Sequence, residues 1–414
     1  MPSHQSKILL GGLVILLTVL ACSTGSTTLP TVATLPPTQA APSVTTTPAT
    51  LPATSAATVL AATDTGTPAP ASTAPSLPAL PAATSPFIQS LYMLDANNGW
   101  GLTDTGVVRT TDGGSNWFNA TPSGLNGAPS NPFFLNAGTG WLAANIDNPT
   151  TSTLYHTSDG GATWSVTTVP FGGGSLHFID AMHGWDLVGL NAGMSHEAVG
   201  IFRTSDGGAT WSRVFINDPS VAGFTNSLPL AGDKNGITYL DSNHAWVTGT
   251  QPSSDFIYVY ASQDGGITWA HQDLAIPAGY SGAMTGANLP VFFGSNQAVL
   301  PVLLFANNNG TDFYVSRDGG QTWSATSPVG QGGFLSVATA NDFFVWDGSA
   351  PLNVSHDAGA TWSTVTPNVT IKDNMVSLQF INASTGWALT NDVNNHSMLY
   401  KSVDGGATWT VLIP

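Results

Sequence analysis

Seven aspartates of this chain stand in nearly the same octet: Ser or Thr, a variable residue, Asp, a small residue, Gly, two further residues, Trp. They are Asp112, Asp159, Asp206, Asp264, Asp318, Asp357 and Asp404. The tryptophans that close the octets are Trp117, Trp164, Trp211, Trp269, Trp323, Trp362 and Trp409. A carboxylate in a glycine-rich loop invites two chemical readings, a calcium ligand and a catalytic acid. One aspartate per loop supplies too few oxygens for a hard cation, which takes about six to eight. Seven near-identical copies also argue against catalysis, because an active site needs one asymmetric constellation.

A structural reading accounts for every residue of the octet. A short carboxylate accepts hydrogen bonds from backbone N–H groups one to three residues on, and the glycines supply the positive φ of a tight hairpin. In the sixth copy Ala358-Gly359 replaces Gly-Gly. The hydroxyl two residues before each aspartate (Thr110, Thr157, Thr204, Ser262, Ser316, Ser355, Ser402) is placed to close the loop. The Trp starts the next strand and packs its ring on the turn.

Outside the octets the acids Asp147, Glu197, Asp218, Asp233, Asp255, Asp273, Asp347 and Asp373 show no paired spacing. Glycoside cleavage needs two carboxylates across one cleft. The histidines do not gather either. His156 and His356 flank octets, His183 and His244 fall in turns, His177 in a strand, and His196, His271 and His396 in loops. No His-x-x-x-His and no cysteine pair exists, so neither a metal site nor a cofactor is expected. His196-Glu197 is the one adjacent pair with chemical potential, and its plain reading is an exposed loop.

The elements that position these residues follow from the period. Successive octet aspartates lie 47, 47, 58, 54, 39 and 47 residues apart, the signature of stacked supersecondary units. Each unit carries four short strand-like runs separated by turns. In the last, Val376 to Ile381, Gly386 to Leu389, Ser397 to Lys401 and Thr408 to Ile413 are strands. Seven four-stranded antiparallel sheets arranged radially make a β-propeller, which protects its edges by closing into a ring. The expected fold is all-β, a seven-bladed propeller over residues 87–414. Unit one begins with its first strand and unit seven ends with its fourth, so closure is expected from blade-to-blade packing.

The octets resemble the Asp-box, or BNR, repeat of sialidases, xyloglucan-cleaving propellers, sortilin-type receptors and photosystem II assembly and stability factors. A second signature, Gly-Trp or Ala-Trp in the first hairpin (Trp100, Trp141, Trp185, Trp246, Trp387), is most similar to the assembly-factor propellers. Unit five departs with Asn296-Gln297-Ala298-Val299, and unit six with Phe343-Phe344-Val345-Trp346. The resemblance implies the fold over 87–414. For function it implies less, since the assembly factors carry a basic patch and the only arginines here, Arg109, Arg203, Arg213 and Arg317, are dispersed beside octets. Nor do those arginines stand where a sialidase would need three to converge.

Eight basic against 24 acidic side chains give a net charge of −16, which disfavours nucleic acid as a partner. Glu197 is the only glutamate, and the polarity comes from Asp, Asn, Thr, Ser and Gly, residues of turns rather than helices. Residues 1–22 read as an export signal: Lys7, an apolar run from Ile8 to Leu20, then Ala21-Cys22. Val19-Leu20-Ala21-Cys22 resembles the lipobox of bacterial lipoproteins, whose cysteine is acylated, and Cys22 is the only cysteine. Residues 23–86 are Thr, Pro, Ala and Ser-rich, with Asp64 the sole charge, and read as a disordered tether. At ~3.1 Å per residue such a stalk reaches up to roughly 200 Å. The expectation is a secreted monomer, lipid-anchored at the bacterial cell surface on the outer face of the cytoplasmic membrane or in the envelope.

On a propeller the loops between strands two and three and between blades share one face, and variable loops on a rigid scaffold suit recognition. The longest run from Phe215 to Gly236 and from His271 to Asn288, with Asn191 to Val199 nearby. Asn217, Asp218, Asn235, His271, Asp273 and Tyr280 are therefore the candidate ligand residues. The expected function is non-enzymatic binding or assembly scaffolding toward a protein or neutral glycan. The alternatives are an Asp-box glycoside hydrolase and a photosystem II assembly factor-like protein.

Overall fold

Short strands fold each repeat into an antiparallel sheet whose second strand is buried on both faces, because a neighbouring blade covers each side, and in most blades an aromatic residue of that strand meets the next sheet. The computed structural model describes residues 77–413 apart from 126–127, 145–149, 194–195, 252, 307–308, 331, 393 and 395. Cys22, the signal segment, the tether up to residue 76 and Asp147 lie outside the described residues. Blade one comprises Ser90–Met93, Gly99–Leu102, Val107–Thr110 and Trp117–Asn119, and blade two Ser130–Phe134, Gly140–Ala144, Ser152–Thr157 and Ser165–Val169. Blade three is Gly174–Phe178, Gly184–Gly193, His196–Thr204 and Ser212–Ile216. Blades six and seven run from Phe334–Val337 to Ser363–Val365 and from Met375–Phe380 to Thr410–Ile413. Among the described residues the only helical element is a 3-10 turn at Lys372–Asn374.

Blades four (Asp233–Tyr239, Ala245–Gln251, Val259–Ser262, Ala270–His271) and five are joined into one nine-stranded sheet. The link is Met284–Ala287, half of blade five's split inner strand. It pairs with Val302 to Phe305 of its own blade and also with Thr250 and Gln251 of blade four. The long connections expected at 215–236 and 271–288 are shortened accordingly, since Asp233–Tyr239 and Met284–Ala287 are strands. Residues 191–193 and 196–199 likewise belong to paired strands, with Ala192 opposite Glu197.

The core is seven slabs, one per seam between successive blades. Trp185, Leu187, Ile237 and Val247 fill the seam of blades three and four, for example, and Phe344, Val354, Phe380 and Ala388 that of six and seven. Met93, Val108, Trp387 and Leu399 fill the seam of seven and one, so the ring is closed by packing. Gln379 adds a two-way clasp there, accepting from Met93 N–H at 2.8 Å and donating to its carbonyl at 2.7 Å.

The Gly-Trp signature explains itself at these seams. Trp100 stacks on Phe134 at 4.7 Å, Trp141 on Phe178 at 3.7 Å and Trp185 on Tyr239 at 3.8 Å, each time the next blade's first strand. In blade six Phe344 takes the same place and stacks on Phe380 at 3.7 Å. The glycine before Trp is required because a Cβ at Gly140, Gly184 or Gly386 would meet the ring of Phe134, Phe178 or Phe380.

One boundary differs from the sequence expectation. Residues 77–86, grouped above with the tether, are part of the domain, and Ala82–Ala83 pairs with Phe118 and Trp117 as a fifth strand of blade one. Composition alone hides this, because Pro81 cannot donate to a ladder but its carbonyl accepts from Asn119 N–H at 2.8 Å.

Candidate binding cleft

In each Asp box the loop wraps its own carboxylate. The Ser or Thr hydroxyl donates to Oδ1 at 2.8–2.9 Å in all seven boxes. The same oxygen accepts the N–H four residues on, at 2.8–2.9 Å. That is one residue further than the expected reach, because two consecutive positive-φ residues fold the chain around the side chain. Oδ2 accepts the side chain of that fourth residue at 2.5–2.7 Å. The Thr322 hydroxyl and N–H hold the Asp318 carboxyl down to about 2. These carboxylates spend their acceptors on their own turns.

The turn histidines are similarly occupied. His183 and His244 place Nδ1 at 2.9 Å from Oδ2 of Asp180 and Asp241, the aspartates that cap the same turns. His177 is half-buried in its seam with Nε2 at 2.9 Å from the Tyr239 carbonyl, and desolvation brings it down to about 4.

The face opposite the boxes is uneven, raised over blades three to five. Blade three's second and third strands, of 10 and 9 residues, project past the sheet and bend at a bulge between Gly189 and Asn191. Blade five's hairpin, Gln297–Phe305 with Gly310–Ser316, is extended in the same way.

Beside the blade-three hairpin lies an open cleft of about 470 Å³, lined by Asn131, Gly172 to Ser175, Leu187, Gly189, Glu197 and Lys234 to Gly236. Its wall is stitched by one lysine. Lys234 Nζ donates to the carbonyls of Glu197 at 2.9 Å, Leu230 at 2.9 Å and Gly232 at 2.8 Å, and lies 5.6 Å from the centre of the Tyr258 ring. Its own N–H donates to Glu197 Oε2 at 2.6 Å, and Glu197 N–H to the Leu230 carbonyl at 2.8 Å. Burial brings the ammonium down to about 8 against the opposing pull of Glu197 and Asp233. Burial also raises Glu197, with the Lys234 N–H opposing.

The glycines keep the cleft open. Gly172 and Gly173 present bare backbone to it, and a Cβ at Gly174 would collide with the carboxyl of Asp186. That carboxyl is buried behind the cleft wall, and its Oδ1 has no hydrogen-bond partner. Burial pushes it well above the ordinary carboxylate range.

The six residues singled out from sequence do not converge. Asn217 is buried and acts as a strut, accepting from Val199 N–H at 2.7 Å and donating to the Leu228 carbonyl at 3.1 Å. Asp218 caps a turn through Ser220 N–H at 2.9 Å. His271 is held between Asp273 at 2.9 Å and the Ile257 carbonyl at 3.0 Å, and stacks on Phe256 at 4.5 Å. Tyr280 packs on the seam of blades four and five. Asn235 alone of the six lines the cleft, with its amide donating to the Ala287 carbonyl at 2.8 Å. Asp186, Lys234 and the run Gly172-Gly173-Gly174 escaped notice, although three consecutive glycines at a blade junction are a visible mark of open backbone.

Fold and boxes together define a seven-bladed β-propeller built from Asp-box repeats. The sequence profile of the BNR/Asp-box repeat matches residues 314–325, within blade five. No curated protein sequence matches the chain. Among solved structures the chain is similar to "YCF48 bound to D1 peptide", at 20% identity over 79% of this chain and 99% of that one, with a TM-score of 0.49. It is similar to the GH74 xyloglucanase of Xanthomonas campestris at 13% identity, over 82% of this chain and 56% of that one, with a TM-score of 0.52. A PL25 ulvan lyase follows at 10% identity, 79% and 94% coverage and a TM-score of 0.50. At these low identities the superpositions on the xyloglucanase and the lyase speak for the fold alone.

Proposed function

We propose that the protein is a non-enzymatic binding or scaffold propeller that recognises a protein or neutral glycan in the cleft beside the blade-three hairpin, between blades two and four. The observation that carries this reading is the cleft: a glycine wall with open backbone, the amides of Asn131 and Asn235, the Ser175 hydroxyl and one carboxylate, Glu197. Such groups suit hydrogen bonding to a peptide or a hydroxyl-rich ligand. Acid–base cleavage of a glycoside needs a second carboxylate facing the same space, and the cleft lining holds Glu197 alone among the described residues. The alternative, glycoside hydrolysis, draws on the polysaccharide-active propellers that share the fold.

The test is cross-linking mass spectrometry of the full chain with native envelope proteins, together with a neutral-glycan array. A captured ligand mapping to 172–175 and 234–236, weakened about tenfold or more by Asn235→Ala with Glu197→Gln, supports the reading. Hydrolysis of a neutral glycan that disappears in Glu197→Gln replaces it with the enzymatic one.

The proposal includes anchoring through Cys22 at the bacterial surface. It rests on the lipobox-like Val19-Leu20-Ala21-Cys22 and the proline-rich stretch that follows. Mass spectrometry of the mature N-terminus should find an acylated cysteine. Cleavage elsewhere, or a Cys22→Ser protein that still fractionates with membranes, overturns this part.

A further inference from the structure

We propose that residues 77–88 form a closing strap, a latch that holds blade one to both of its neighbours and whose release loosens the ring at that blade. Blade one is the odd member of the ring. Its outer strand carries a fifth strand, Ala82–Ala83, whereas the sheets of blades two, three, six and seven end at their fourth.

The strap touches both seams of blade one. Leu80 packs on the cluster of Trp100, Leu102 and Leu142, which joins blades one and two. Ala83 packs on the cluster of Trp117, Trp387 and Leu399, which joins blades seven and one, and Ile88 is buried within it. The Ile88 carbonyl accepts the hydroxyl of Ser397 in blade seven at 3.1 Å. A twelve-residue segment thus bridges three blades.

Arg109 is the bolt. It is 3% exposed, and its guanidinium donates to the Pro78 carbonyl of the strap at 3.1 Å and to the Gly160 carbonyl of blade two's box at 2.6 Å. A buried cation is tolerated where it is hydrogen-bonded, and here the strap supplies one of the acceptors. The strap thus both covers Arg109 and supplies one of the two carbonyls that fix its guanidinium, and strap release frees the side chain that ties blade one to Gly160 of blade two. The sequence offered Arg109 only as one of four dispersed arginines.

The latch is built to yield. Only two residues of the strap form strand pairs with blade one, and a groove of about 680 Å³ is lined by Leu77 to Leu80 together with the blade-two turn at Asn136 to Thr139. The proline-rich segment before Leu77 is covalently continuous with the strap, so a pull along it loads the Pro78–Arg109 bond and the Leu80 contact before the Ala82–Ala83 pairing.

Hydrogen exchange on the full chain tests the latch with Leu80→Asp and Arg109→Gln, and with Arg109→Lys as the conservative variant. Exchange of Asn119 N–H, which donates to Pro81, should speed up at least tenfold in the first two. Exchange of the Trp387 indole, which donates to Gly113 across the other seam, should rise with it, while amides of blade four stay protected. Arg109→Lys, which keeps a charged donor, should recover part of the protection. If Asn119 loses protection and the Trp100 and Trp387 indoles do not, the strap is a passive cover and the proposal fails. If Leu80→Asp does not fold, the two Arg109 variants decide by the same readout.

Discussion

The indole N–H of Trp387 in blade seven donates to the carbonyl of Gly113 in blade one at 2.9 Å, a bond between residues 274 positions apart. Trp141 makes the same bond to Gly207 of blade three's box at 2.8 Å. At these two seams the Gly-Trp of one blade reaches the Asp-box turn of the next, whereas Trp100 donates instead to the Asn136 carbonyl at 3.3 Å and Trp246 to Gln272 Oε1 at 3.1 Å. Trp387→Phe keeps a buried aromatic ring in the seam but leaves a buried carbonyl unpaired, at a cost of about 1–3 kcal/mol. Urea denaturation should show it, together with faster exchange of the blade-one box amides. An unchanged midpoint would show that packing alone closes the ring.

For the Asp boxes the expected cost of one substitution is smaller. Asp206 accepts Thr210 N–H at 2.8 Å and two hydroxyls, but the turn N–H is near water, which replaces much of what is lost. Asp206→Ala should cost about 1 kcal/mol, at the low end for a hydrogen-bonded group, and leave ligand binding intact. The depressed box carboxyls also predict acid lability. Their folded pKa lies below the unfolded value, so their stabilisation is present above about pH 4 and is lost as pH falls toward the value near 2 reached by Asp318. Loss of binding at an unchanged melting temperature in Asp206→Ala would refute the structural role.

What the sequence makes legible is what it repeats. Seven boxes, and an upstream aromatic in six units with Val299 in its place in blade five, repeat at one period, so period and residue type suffice to derive the blades and the way they stack. The cleft depends on contacts made once. Lys234 reads as a surface lysine until the blade-three hairpin folds over it, and Asn217 reads as a loop ligand until its amide is seen bracing Val199 and Leu228. The strap is hidden for another reason, since two alanines pair by backbone alone and leave no periodic trace.

Asp186 should make stability depend on pH in the opposite sense to the boxes. Its carboxyl is buried and held well above the ordinary range, so the folded protein keeps a proton that the unfolded chain loses near pH 4. The folded state then binds more protons than the unfolded one, and stability falls as pH rises through that window. Asp186→Asn removes the ionisation while keeping the shape. Its melting temperature should gain on the wild type progressively from pH 4 to pH 8. A gap independent of pH would mean that Asp186 is already ionised in the fold.

Lys234 gives the last prediction, because two effects on it compete. Lys234→Met fills a similar volume but leaves the carbonyls of Glu197, Leu230 and Gly232 without their donor, which should cost about 1–3 kcal/mol at pH 7. Burial works the other way. It lowers the folded pKa to about 8, while the unfolded chain keeps its proton to about pH 10.4. Between those values the unfolded state binds more protons, so the cost of burying the charge is relieved and this group's contribution to stability rises with pH. The gap between wild type and Lys234→Met in urea should therefore widen from pH 7.5 to pH 9.5, with Glu197 N–H exchanging faster in the variant throughout. A gap that narrows over the same range would show that the hairpin needs the ammonium itself, and that the three carbonyls outweigh its burial.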